Sequence, residues 1–94
     1  MKLLWFSLAI DDLQALREYI ARDNPEAARD AASRILEAVS TLEKQPAIGR
    51  PGRVPGTREL IVSGTPYIIP YRARGNAVEI LRVFHAARKW PSRF

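Results

Sequence analysis

Residues 23–46, with the sequence DNPEAARDAASRILEAVSTLEKQP, contain the clearest helical pattern in the chain. Asn24 is a favourable N-cap, Pro25 suits the first helical position, and Glu26 lies at the positive end of the helix dipole. Apolar residues recur at spacings of three and four, at Ala28, Ala31 or Ala32, Ile35, Val39 and Leu42. Pro46 ends the pattern. The stretch therefore predicts an amphipathic helix with one buried face.

The residues before this helix predict a strand and a second helix. The run KLLWF at 2–6 is apolar and bulky, which is typical of a buried strand that includes Trp5 in the core. A helix over about 8–22 follows, with Ser7 as its expected N-cap. Its apolar face consists of Ala9, Leu13, Leu16 and Ile20. Because only two or three residues link the two helices, we expect an antiparallel helical hairpin.

The residues after the hairpin predict a loop and three strands. Residues 47–57, AIGRPGRVPGT, contain three Gly and two Pro and form a loop. The strands are TRELIV (57–62), YIIPYRA (67–73) and AVEILRVFH (77–85), joined by the turn sequences SGTP and RGN. We predict a single α+β domain over 1–94 with the order β-α-α-β-β-β. The N-terminal strand and the helical hairpin pack on one face of an antiparallel sheet.

The last strand carries a charged residue among apolar ones. Alternation places one set on one face, Val78, Ile80, Arg82 and Phe84, and the other set on the opposite face, Glu79, Leu81, Val83 and His85. Arg82 therefore needs an acceptor, or it lines a concave surface open to water. Pro70 lacks a ladder donor, so we expect a bulge there or an outward-facing position.

Charge is distributed unevenly along the chain. Residues 1–49 carry six Lys or Arg and eight Asp or Glu, whereas residues 50–94 carry nine and two. This asymmetry favours a surface that meets a polyanion or an acidic protein, although solubility alone also explains a basic half. The chain has no Cys and one His, which excludes a disulfide framework and a structural zinc site.

No targeting or membrane segment is predicted. The N-terminal run MKLLWFSLAI lacks a small-residue cleavage site and is followed at once by Asp11 and Asp12, so a strand entering a helix explains it better than a signal peptide. No apolar run approaches the length of about 20 residues that spans a bilayer. We expect a cytoplasmic protein.

Several motifs resemble those of a known family. The helical hairpin, GRPGRVPGTRELIV (49–62), YIIPYR (67–72) and VEILRVFHAARKWP (78–91) resemble the RelE/ParE superfamily of bacterial toxins over nearly the full length. The resemblance implies a growth-inhibiting toxin of a type II toxin–antitoxin module, associated with plasmid stabilisation. It also implies a cognate antitoxin with an acidic, amphipathic C-terminal segment that docks as a helix, an added strand, or both.

The superfamily divides by target, and the resemblance leaves two functions open. ParE-like members bind and inhibit DNA gyrase, whereas RelE-like members are ribosome-dependent mRNA endoribonucleases. A nuclease needs a base, an acid and cations for the phosphate. Arg58, Arg82 and His85 are the residues suited to that chemistry, but Gly52 stands where some nucleases carry a loop glutamate. The missing acid–base partner favours the gyrase inhibitor.

The predicted target-binding surface is basic and includes one aromatic residue. It comprises Arg50, Arg53, Arg58, Arg72, Arg82, His85, Arg88, Lys89 and Trp90. His85 is either a proton carrier or a binding or terminal structural residue. Trp90 either stacks on a partner or closes the end of the core. Neither a cofactor nor a metal ion is expected.

Overall fold

The computed structural model of the protein describes all residues 1–94 as two helices packed on one six-stranded sheet. The elements in chain order are β1 (Lys2–Trp5), α1 (Ser7–Ala21), α2 (Pro25–Ser40), β2 (Arg50–Pro51), β3 (Arg58–Ile61), β4 (Tyr67–Arg74), β5 (Ala77–Ile80) and β6 (Phe84–His85). The sheet order is β1-β5-β4-β3-β2, and β6 pairs with β4 beyond the end of β5. Neither helix has the length and apolar character that a bilayer-crossing segment requires.

The predicted α+β architecture is confirmed, with two differences in the strands. The sheet is mixed because β1 runs parallel to β5, whereas all other pairs are antiparallel. The predicted loop at 47–57 contains the short strand β2, which pairs Arg50 with Glu59 and Pro51 with Arg58.

The helical hairpin forms as predicted, but its ends differ. The side chain of Asn24 accepts a hydrogen bond from Ala27 N–H at 3.1 Å, with Pro25 at the first position. By contrast, α1 begins at Ser7 itself, and Phe6 occupies the N-cap without a side-chain bond. The second helix ends at Ser40, well before Pro46, and continues as one 3₁₀ turn over Thr41–Glu43.

One face of the sheet packs against both helices, and we call it the helix face. Its core joins α1 and α2 to the central strands through twelve buried residues: Ala9, Leu16, Ile35, Val39, Leu42, Leu60, Val62, Ile69, Tyr71, Val78, Ile80 and Val83. Trp5 is half-buried against this core, but β1 is an outer strand without a fully buried residue, so the prediction of a buried strand was wrong. The opposite side of the sheet, which no helix covers, is the open face.

The predicted last strand is interrupted opposite Pro70. Between the pairs Tyr71–Ile80 and Ile68–Phe84 there are two residues on β4 but three residues, 81–83, on the segment that joins β5 to β6. This is a bulge, as expected at a proline that cannot donate to the ladder. The extra residue shifts the alternation, so Val83 joins the core on the helix face rather than the face of Glu79. The predicted faces of Val83, Phe84 and His85 were therefore wrong, because Phe84 lies on the open face and His85 on the helix face.

Candidate functional site

The loop before β3 is held on the open face by Glu59. Its carboxylate is almost fully buried, with 1% of the side chain exposed. It accepts hydrogen bonds from Arg50 Nε at 3.1 Å, Arg50 Nη2 at 2.9 Å and the backbone N–H of Arg53 at 2.7 Å. The Arg53 guanidinium lies farther away, with Nε 3.6 Å from the carboxylate. Glu59 thus fixes the positions of both loop arginines.

The same loop is held on the helix face by Tyr71. The buried hydroxyl of Tyr71 donates to Pro46 C=O and accepts from Gly49 N–H, both at 2.8 Å. Burial raises the pKa of Tyr71, while the bond from Gly49 and the charge of Arg58 act against this rise. Arg58 Nη1 donates to Gly49 C=O at 2.9 Å. The loop that carries Arg50 and Arg53 is therefore fixed from both faces of the sheet.

A second carboxylate on the open face repeats the arrangement of Glu59. Glu79 is cross-strand to Arg72 and accepts from its Nε at 2.6 Å. Arg74 lies 3.8 Å from the same oxygen, and 65% of its side chain is exposed. Each of these two glutamates, Glu59 buried and Glu79 mostly buried, therefore holds one arginine closely and a second one loosely.

Arg82 finds its acceptor on α1. Asp12 accepts from Arg82 Nε at 2.7 Å and Nη2 at 3.0 Å, and also from the backbone N–H of Val83 at 3.0 Å. The hydrogen bond to Asp12 raises the pKa of Arg82, and this effect exceeds the opposing one of partial burial. Of the two environments predicted for Arg82, the structure has the one with an acceptor.

His85 lies on the helix face, in a cleft of about 370 Å³ between the hairpin and the end of the sheet. Its Nδ1 accepts from Ala87 N–H at 3.1 Å, and its ring meets Tyr67 edge-on with centroids 5.7 Å apart. Tyr19 and Asp30 also line this cleft. Burial, and secondarily Tyr19, raises the pKa of Tyr67.

The C-terminal residues cover the aromatic centre of the open face. Trp90 meets Phe84 edge-on at 5.0 Å, and the guanidinium carbon of Arg53 lies 4.0 Å from the centroid of the Trp90 ring. Arg88 lies over Phe84 at 4.2 Å, and Phe94 stacks on the same ring. The indole N–H of Trp90 is buried without a hydrogen-bond partner. Trp90 thus closes the end of this aromatic cluster, which was one of its two predicted roles.

The predicted basic residues divide between the two faces. Cross-strand register places Arg50 and Arg72 on the open face with Glu59 and Glu79, and Arg53 and Trp90 join them there. Arg58 pairs with Tyr71, and His85 pairs with Tyr67, so both of these side chains lie on the helix face. Lys89 is exposed beyond the last strand.

Sequence reasoning missed two contacts that position these residues. Asp12 falls between Ala9 and Leu16 on the buried side of α1, and a carboxylate at such a position requires a partner. That requirement, set beside the unpaired Arg82 of the last strand, was a usable indication of the pair. The two loop partners of the Tyr71 hydroxyl, Gly49 and Pro46, were not foreseen either.

No group of three His, Cys, Asp or Glu side chains is placed to share a metal ion.

The family comparison agrees with the fold: the model for the ParE toxin of the type II toxin–antitoxin system, parDE, matches residues 3–90. The chain belongs to this family. It is thus a toxin of a type II toxin–antitoxin system, within the RelE/ParE superfamily.

Individual relatives support the assignment to the ParE toxin family. The Putative toxin Y4kP of Sinorhizobium fredii (strain NBRC 101917 / NGR234) is 46% identical over 90 residues, which cover 96% of this chain and 93% of that protein. Toxin RelE2 of Caulobacter vibrioides (strain ATCC 19089 / CIP 103742 / CB 15) is 38% identical over 87 residues, 93% of this chain and 97% of that protein.

Two solved structures show the same fold. The chromosomal ParDE TA system from P. aeruginosa contains a chain with a TM-score of 0.82 and 35% identity, covering 90% of this chain and 95% of that one. The YoeB/ParE toxin from Agrobacterium tumefaciens has a TM-score of 0.62 at 18% identity, covering 90% and 98%. The second likeness concerns the fold alone.

Proposed function

We propose that this toxin arrests bacterial growth in the cytoplasm by binding DNA gyrase, and that it does not cut RNA. The observation that carries the proposal is the separation of the groups that cleavage would need. Arg58 is bonded to the Gly49 carbonyl, and Arg82 is bonded to Asp12, so neither guanidinium is directed at His85. Membership of the ParE toxin family supports the same conclusion.

The distance between Arg58 and His85 follows from the sheet register. They flank opposite edges of β4, Arg58 beside Tyr71 and His85 beside Tyr67. Two strand spacings across and four residues along the sheet put their backbones roughly 16 Å apart. A general acid or base must lie within about 3 Å of its proton, or one water away. The two side chains would have to extend toward each other to share one phosphate, whereas the Arg58 guanidinium is bonded to the Gly49 carbonyl.

The second candidate function is a ribosome-dependent mRNA endoribonuclease. His85 opens into a cleft with Tyr19, Tyr67 and Asp30, which supplies the titratable neighbours that the sequence did not reveal. One relative also has the name Toxin RelE2. However, the Asp30 carboxylate places negative charge where a phosphate would approach. Arg34 does not offer a free cation there, because its Nε lies 2.9 Å from this carboxylate and is paired with it.

Two assays separate the candidates. Purified toxin is added to gyrase with relaxed plasmid and ATP, and in parallel to ribosomes programmed with mRNA. We expect loss of supercoiling and intact mRNA. His85→Ala should leave the gyrase effect within about twofold, whereas a nuclease would lose about 10²-fold or more in rate. Prompt mRNA cleavage with normal supercoiling would reverse the assignment.

We further propose that the antitoxin neutralises the toxin by adding a strand to β3. Because β2 covers only Arg58 and Glu59, the edge of β3 is without a strand neighbour from Leu60 onward. Exposed apolar side chains flank this edge, with Ile48 53% and Ile61 54% exposed. An extended segment would gain backbone hydrogen bonds from β3 and bury these side chains.

The edge proposal has a matched control on the helical hairpin. Ile61→Arg should weaken binding of the cognate antitoxin by at least tenfold in calorimetry, because it removes the apolar contact beside the added strand. Leu8→Arg changes a side chain that is also 54% exposed, but on α1, and should have little effect. Equal losses from both variants, or none from Ile61→Arg, would place the antitoxin elsewhere.

A further inference from the structure

The open face presents positive charge without exposed carboxylates from its own half of the chain. Residues 50–94 contain only two acidic side chains, Glu59 and Glu79, against nine basic ones. Both glutamates are covered, with 1% and 12% of the side chain exposed. The charged side chains that this half of the chain exposes are therefore mainly basic.

Each of the two glutamates leaves one arginine without a close ion pair. Arg50 and Arg72 make the close contacts at 2.9 Å and 2.6 Å, whereas the second arginine of each pair lies 3.6 Å or 3.8 Å away. These second arginines are Arg53 and Arg74, whose side chains are 46% and 65% exposed. Two glutamates thus hold four arginines in place and neutralise half of their charge.

The centre of the open face offers little to a protein partner. The side chains that would form an apolar contact, Ile68, Pro70 and Phe84, are buried beneath the C-terminal residues and the arginines. Protein interfaces usually have an aromatic or aliphatic core within a polar rim. Apart from Leu4 and Ile61 on the outer strands and Phe94 over Phe84, the exposed side chains placed on this face are mainly arginines, so the face suits a partner that is recognised by charge.

We propose that the open face binds the phosphate backbone of duplex DNA. Planar guanidinium groups match phosphate oxygens and bind them in pairs. The exposed arginines Arg53 and Arg74 are held beside Glu59 on β3 and Glu79 on β5, and these two glutamates are separated by two strand spacings and two residues, so their backbones lie roughly 12 Å apart. This is about the width of the major groove, whose two edges carry the phosphates of opposite strands. The inference deepens the gyrase proposal, because gyrase acts on duplex DNA.

A double variant tests the surface while keeping both glutamates paired. Arg53→Gln with Arg74→Gln removes the two loosely held arginines and leaves Arg50 and Arg72 in their ion pairs. The matched control, Arg17→Gln with Arg29→Gln, removes two exposed charges from the helical hairpin. Thermal melting of both variants by circular dichroism verifies that each is folded.

The readout is fluorescence anisotropy of a labelled 30-base-pair duplex of mixed sequence, titrated with toxin between 50 and 200 mM NaCl. Each neutralised phosphate contributes about −0.9 to the slope of log K against log salt. We expect the double variant to reduce the magnitude of this slope by about 2 and to bind at least tenfold more weakly at 50 mM. The control should match the unaltered toxin.

Failure of this inference is distinguishable from failure of the gyrase proposal. If the toxin inhibits gyrase but the double variant binds duplex and inhibits as well as the control, the open face is not a DNA-binding surface. Equal affinity for poly-L-glutamate, or tighter binding of single-stranded RNA, would also overturn the inference. Duplex binding that depends on Arg53 and Arg74 without gyrase inhibition would support the surface and reject the target.

Discussion

The ion pair of Asp12 with Arg82 joins two segments that are 70 residues apart in the chain. Asp12→Ala removes the acceptor of three hydrogen bonds and leaves the Arg82 charge and the Val83 N–H without partners. Breaking a buried pair from one side costs about 3–5 kcal/mol, and the partial exposure of this pair favours the lower value, about 3 kcal/mol. For a chain of this size, such a loss lowers Tm by about 15 °C.

A double-mutant cycle measured by urea unfolding with circular dichroism at pH 7 tests this prediction. Arg82→Met removes the charge that needs Asp12 and keeps an apolar stem against Phe84. The double variant should therefore lose less than the sum of the single variants, with a coupling of about 1–2 kcal/mol. Additive losses would show that Asp12 does not stabilise the protein through Arg82. A loss below about 0.5 kcal/mol for Asp12→Ala, as at an ordinary surface site, would show that this pair does not stabilise the fold.

Three further predictions concern the tyrosines and the arginine loop. Tyr71→Phe removes the hydroxyl that bonds Gly49 and Pro46, so unfolding in urea should show a loss of about 2 kcal/mol; no loss would mean that the loop is held otherwise. Gly49→Ala places a Cβ 2.6 Å from the Tyr71 hydroxyl and 2.9 Å from the Glu59 carbonyl, so Tm should fall by several degrees, and an unchanged Tm would contradict the close packing. Because burial raises the pKa of Tyr67, the folded chain keeps a proton that the unfolded chain releases from about pH 10, and stability falls as pH rises through the folded pKa. Tyr67→Phe should make the decline of the free energy of unfolding between pH 9 and 11 less steep, and an unchanged slope would contradict this prediction.

The helical hairpin was predictable because its information is local. The N-cap at Asn24, the proline after it and the spacing of the apolar residues act within a few turns, and all three appear in the structure. The cap at Ser7 was wrong since Phe6 is still extended and Ser7 already belongs to the helix. Helix ends are decided by single residues, so they are less certain than the helix itself.

The pairing of distant segments was less predictable. Nothing in residues 2–5 indicates that this strand lies beside β5 and runs parallel to it. The bulge was anticipated from Pro70, but its effect on Val83 depends on which strand takes the extra residue. The division of the arginines between two faces follows from the same register, so composition revealed the basic half but not the side of the sheet on which each charge lies.

Inhibition of gyrase is tested most directly by supercoiling of relaxed plasmid in the presence of the purified toxin, with and without its antitoxin. We expect that the toxin abolishes supercoiling, that His85→Ala retains the effect, and that stoichiometric antitoxin restores supercoiling. Undisturbed supercoiling at toxin concentrations that cause mRNA cleavage on ribosomes would contradict this expectation.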